Sequence, residues 1–87
     1  MKTTRTFPVY TKLDNGWIAG TIGPYSFEIK AYDTPSIWGI NEGCISKLHL
    51  AQKDTRETVA AYDRGWDKFP ESAKALESVD ALCTLWN

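Results

Sequence analysis

The 87-residue chain holds ten basic and eleven acidic residues, totals that imply neither a phosphate-binding surface nor a polyanionic mimic of nucleic acid. A chain of this length removes only about 60–65% of its unfolded surface from water, so a second core is excluded and one domain spans 1–87. Hydrophobic residues make up 43% and aromatics 13%, with four Trp and four Tyr, a content that excludes disorder.

The N-terminal MKTTRTFPVY has two basic residues but not the apolar run of about 7–15 residues that a signal sequence carries. No segment nears the roughly 20 apolar residues of a membrane span. The expectation is a soluble, unexported, cytoplasmic protein with no membrane partner. TFPVYTKL (6–13) predicts a first strand. Asp14-Asn15-Gly16 predicts a type I′ hairpin, because that turn needs positive φ at both central positions and Asn and Gly tolerate it. WIAGTIG (17–23) then returns antiparallel.

After Gly23-Pro24, YSFEIKAYD (25–33) alternates, with Tyr25, Phe27, Ile29 and Ala31 on one face and Ser26, Glu28 and Lys30 on the other. TPSIWGINEG (34–43) predicts an irregular loop of about ten residues, longer than most connections and therefore a place for function. CISKLHLAQK (44–53) predicts a strand with Cys44, Ser46, Leu48 and Leu50 inside and Ile45, Lys47, His49 and Ala51 outside. ETVAAYDRGW (57–66) predicts a fifth strand. From there YDRGWDKFP (62–70) turns the chain toward a helix, with Gly65 releasing the backbone and Pro70 opening the first turn.

That helix, about residues 70–86, has Ala75, Leu76, Val79, Leu82, Cys83 and Trp86 on one stripe at intervals of three and four. The resulting fold class is α+β: an antiparallel meander of four to five strands with one C-terminal helix packed on one face, a two-layer sandwich.

The residues available for chemistry are few. Cys44 and Cys83 are too sparse and too far apart for a disulfide framework or zinc motif, and they read as two buried thiols. A Cys44/His49 dyad fails because positions five apart on a strand point to opposite faces. An acid–base enzyme needs two of Asp33, Asp63, Asp67 and His49 to converge. For nucleic acid, Tyr32, Trp38, Tyr62 and Trp66 offer stacking surfaces, but clustered Lys and Arg are missing, so that partner is disfavoured. Trp17 and Trp86 read as core, whereas Trp38 and Trp66 adjoin glycines and serve either as plugs of the core or as contact anchors. Arg64, between Asp63 and Asp67, either bridges loops or meets a partner's carboxylate or phosphate.

With SIWGINEGCISKLHL (36–50) and YDRGWD (62–67) placed, the chain resembles a family of short uncharacterised proteins associated with bacteriophages, prophages and their bacterial hosts. The family pattern is met by Ser36, Gly39, Ile40, Gly43, Ile45, Ser46, Lys47 and Leu48, then by Tyr62, Arg64, Gly65, Trp66 and Asp67. The likeness covers roughly residues 16–70, and Cys44 stands where a basic residue is expected. It implies no shared activity, cofactor or catalytic residue.

What the resemblance does imply is a setting in which small host-directed proteins act by contact, for example as inhibitors of a bacterial defence system. The expected function is therefore a non-enzymatic binding protein that contacts a host protein, with no cofactor and no metal. Its expected surface joins Trp38 and Asn41 to Arg64, Trp66 and Asp67. The alternative is a homo-oligomer that sequesters a nucleotide-type ligand, with Arg64 or Lys47 on the phosphate. A small carboxylate-based enzyme and a phage structural component complete the readings.

Overall fold

A computed structural model describes residues 8–87, and both the start of the expected first strand at 6–7 and the targeting reading of the N-terminus lie outside them. Six strands form one antiparallel sheet in chain order: β1 (Val9–Lys12), β2 (Trp17–Ile22), β3 (Tyr25–Ala31), β4 (Ile45–Gln52), β5 (Thr58–Asp63) and β6 (Trp66–Lys68). One helix follows, α1 (Ala73–Trp86). Every connection between neighbouring strands is local, which is what a sequence punctuated by Gly, Pro and Asn at short intervals dictates. No helix among the described residues is long and apolar enough to cross a membrane.

The first turn forms as the sequence predicts. Asn15 and Gly16 both take positive φ, 61° and 83°, and the Trp17 amide donates to the Asp14 carbonyl. Leu13 then donates to the Trp17 carbonyl at 2.7 Å and pins β1 to β2.

Ile18, Ile22, Tyr25, Phe27, Ile29, Leu48 and Leu50 form the dry face of the sheet, on which Ala75, Val79 and Leu82 of α1 pack. Each such aliphatic side chain taken wholly out of water contributes about 1.5–3 kcal/mol. Trp86 completes this layer, lying 6.3 Å from Phe27 and edge-on to Tyr10 at 4.8 Å. Among the described residues no helix packs on the opposite face of the sheet.

The structure departs from the sequence reading at several positions. The register between β3 and β4 runs from Lys30↔Lys47 to Ala31↔Ile45, so β4 has one extra residue, Ser46. This bulge flips the alternation. Ile45 turns into the core and Cys44, half-buried, stays outside it. Trp17 lies half-buried beside Lys30 on the open face and is not part of the core.

The segment expected to lead straight into the helix instead forms β6, so the sheet has six strands and not four to five. The helix begins at Ala73, not at Pro70, because the Ser72 hydroxyl accepts from the Ala75 amide at 3.0 Å and supplies the cap. On the helix, Leu76 is 41% exposed and Ser78 takes its place inside, its hydroxyl satisfied by the Lys74 carbonyl at 3.0 Å.

Candidate functional site

The loop between β3 and β4 is long, but its ends are tied. Tyr32 donates to the Cys44 carbonyl at 2.9 Å, and Ser36 to the Gly43 carbonyl at 3.1 Å. Inside this closure Gly39 donates to the Ser36 carbonyl, Glu42 to Gly39 and Gly43 to Ile40, at 3.0, 2.9 and 2.9 Å. The Ser36 hydroxyl accepts from the Trp38 amide at 2.9 Å, the local bond that favours Ser in turns. Asn41 and Glu42 both sit in left-handed backbone, φ 53° and 58°, a conformation that Asn accepts readily and Glu seldom adopts. Two successive residues held there mark a loop determined by its surroundings.

Three side chains root it. Ile40 is buried in the core. Asn87, at the end of α1, accepts from the Ile45 amide at 3.0 Å and donates to the Ile40 carbonyl at 2.9 Å. Tyr62 of β5 donates its hydroxyl to the Trp38 carbonyl at 2.8 Å. The tip that remains presents Ile37 at 73% and Trp38 at 58% exposure. Large apolar side chains fixed in water by a hydrogen-bonded frame are what a preorganised contact site requires.

The turn between β5 and β6 lies beside it. Asp63 donates to the Gly65 carbonyl at 2.9 Å and Arg64 to the Ser46 carbonyl at 3.1 Å. The left-handed residue here is Arg64, φ 58°, and not Gly65, which corrects the role expected for that glycine. The Arg64 guanidinium is exposed and 3.9 Å from the Asp63 carboxylate, a solvated pair that leaves its donors available.

Trp66 is half-buried, edge-on to Tyr62 at 5.0 Å and to Phe69 at 5.1 Å, so it is a wall of the core whose outer neighbour, Phe69, is exposed. Burial also holds the Tyr62 phenol above its ordinary range, by desolvation. Of the residues expected to form one surface, the structure brings some together and parts others. Tyr62 joins the Trp38 loop to Trp66, but Asp67 leaves to the other side of the sheet.

There Asp67 lines a groove of about 230 Å³ with Trp17, Glu28, Lys47, His49 and Asp63. Three of the four residues named for acid–base chemistry thus converge, while Asp33 lines a separate hollow of about 260 Å³ with Trp17, Tyr32 and Trp86. His49, Asp63 and Asp67 all stand in solvent, and the His49 Nε2 meets the Thr58 hydroxyl at 2.9 Å. Lys30 on the same face lies 5.7 Å from the Trp17 ring and 5.4 Å from Tyr32. Among the described residues no three His, Cys, Asp or Glu side chains are arranged so that they could hold a metal ion. Both cysteines are free; burial, reinforced by Asp80, pushes the Cys83 thiol up to about 11.

A family model described as a domain of unknown function, DUF7678, matches residues 16–87. The chain belongs to the DUF7678 family. No curated protein and no solved structure matches the chain. The DUF7678 match takes in the whole loop, the β5–β6 turn and α1, so the ties that shape the tip all lie within the domain.

Of the residues in or tied to this DUF7678 loop, the sequence singles out Trp38 and Asn41, whereas the exposure of Ile37 and the ties made by Tyr62 and Asn87 were not read from it. Ile37 was legible in principle as an apolar residue beside Pro35 and Ser36 in a loop. Asn87 was not, because its partners are 42 and 47 residues away.

Proposed function

We propose that this protein is a non-enzymatic binding module, encoded by a phage or prophage, that acts by gripping a host protein in the bacterial cytoplasm through the Ile37–Trp38 tip. The observation that carries this reading is the tip itself: two large apolar side chains in water, on a loop closed by backbone bonds and tied by Tyr62 and Asn87. Preorganisation lowers the ordering cost of association, which is where a short loop gains affinity. Phe69, joined to Tyr62 through Trp66, extends the surface as a second apolar contact, whereas Arg64 is paired with Asp63, which lines the open-face groove. Inhibition of a defence enzyme by such contact needs no reaction centre in the inhibitor. The exposed groove with His49, Asp63 and Asp67 holds no enclosed acid or base, which supports placing the action at the tip.

The test is affinity capture from bacterial lysate by the wild-type protein and by Trp38→Ala, compared by quantitative mass spectrometry. The reading expects one host protein to be retained by the wild type and depleted about tenfold or more with the variant, whose circular dichroism stays unchanged. An identical retained set from both overturns it.

A second reading has its own support. The hollow lined by Trp17, Tyr32 and Trp86, with Lys12 in its wall, has the aromatic surfaces and the cation that a nucleotide-type ligand uses. In that case the protein sequesters the ligand, as a homo-oligomer or alone. A thermal shift with a mononucleotide that is lost in Trp17→Ala supports it, and no shift across a nucleotide panel removes it.

A further inference from the structure

The end of α1 and the display loop are bonded through the side chain of Asn87. The main chain of Asn87 is bonded helically, its amide donating to the Cys83 carbonyl at 2.8 Å. Its carboxamide leaves the helix and occupies both the Ile45 amide, at 3.0 Å, and the Ile40 carbonyl, at 2.9 Å. Ile45 needs such an acceptor because it sits at the bulge, where β4 slips one residue against β3. Gly43 completes the fit, since a Cβ at that position would collide with the carboxamide.

We propose that Asn87 is the positioning residue of the contact site: a lock that makes the helix end and the 36–45 loop one cooperative unit and so fixes the presentation of Trp38. This rests on the reading of the Ile37–Trp38 tip as the contact surface. The side chain is suited to the task. Its carboxamide offers an acceptor to Ile45 and a donor to Ile40 at once, from two separate atoms. An aspartate keeps the acceptor but sets a carboxylate against the Ile40 carbonyl, and an alanine leaves both groups without this partner. Ordering of the last helical turn therefore sets ordering of the loop, and anything that frays α1 past Cys83 loosens the tip.

The experiment is amide hydrogen exchange by NMR on the isolated protein, with Asn87→Ala, Asn87→Asp, Gly43→Ala and the Gly43→Ala/Asn87→Ala double variant. Exchange at Ile45 and Gly43 is expected to rise tenfold or more in Asn87→Ala and Gly43→Ala and by less at Ile45 in Asn87→Asp, which keeps the acceptor, while the amides of Ile29 and Leu50 in the sheet centre stay protected. The double variant is expected to exchange no faster than Asn87→Ala, because both changes remove the same contact. Unchanged exchange at Ile45 in Asn87→Ala overturns the lock, as does full additivity of the two changes. Lysate capture by Asn87→Ala separates the two claims. A loosened loop with diminished capture supports both, whereas a loosened loop with undiminished capture leaves the lock standing and overturns the tip as the contact surface.

Discussion

The hydroxyl of Tyr62 donates to the main-chain carbonyl of Trp38 at 2.8 Å, across 24 residues of sequence. Through it the β5 strand holds the loop that displays Trp38, and the same ring carries Trp66 on its edge at 5.0 Å. Removing that oxygen tests the tie. Tyr62→Phe keeps the ring and its aromatic contact and is expected to lower stability by about 0.5–1.5 kcal/mol, read by urea denaturation. It also frees the tip, so capture of the partner is expected to weaken. Unaltered stability and capture together contradict the tie.

Trp38→Ala separates contact from fold. With more than half of the side chain in water, its loss is expected to change stability by no more than about 0.5 kcal/mol while costing about 1–3 kcal/mol of partner affinity. A fall in melting temperature comparable to that of a core truncation shows instead that Trp38 supports the domain.

The helix gives the complementary contrast. Leu82 is wholly buried, and Leu82→Ala is expected to cost about 2–5 kcal/mol, whereas Leu76→Ala, at a position open to solvent, stays within about 0.5 kcal/mol. Equal effects at the two positions contradict the face on which α1 is seated.

Cys83 adds a pH dependence. Burial first, and Asp80 second, raise its thiol from the ordinary 9.0 to about 11. The folded chain then holds a proton that the unfolded chain has released. This contribution to stability is complete below pH 9.0, declines between the two values and is lost as the pH rises through about 11. Denaturation midpoints measured from pH 8 to pH 11 are expected to fall, and Cys83→Ala to flatten the fall. At pH 8 the folded thiol is expected to react with iodoacetamide on the order of tenfold or more slowly than an unfolded cysteine. A folded thiol that reacts as fast as the unfolded one contradicts the shift.

Much of the sheet was legible because its signals are local. Asn15-Gly16 forces the first turn, Gly23-Pro24 the second, and the alternation of Tyr25, Phe27, Ile29 and Ala31 fixes one face. What went astray depended on single-residue shifts and distant partners. The bulge at Ser46 inverted Ile45, a change that strict alternation cannot foresee. Trp66–Lys68 is a strand only because β5 offers it an edge, and Ser72, two residues past Pro70, wins the helix cap through one hydrogen bond to Ala75. At the site, Trp38 stood out by its neighbouring glycine and Arg64 by its flanking aspartates, whereas Tyr62 was read for the stacking surface of its ring and not for its hydroxyl. Its hydroxyl has a purpose only once the loop has folded back over β5.

The central claim is that the Ile37–Trp38 tip, and not the open face of the sheet, touches the partner. It is tested most directly by placing a photo-crosslinking amino acid at position 37 or at position 28 and illuminating bacterial cells that express each variant. The account predicts a discrete adduct with one host protein from position 37 and none from position 28. An adduct from position 28 alone, or from neither, contradicts it.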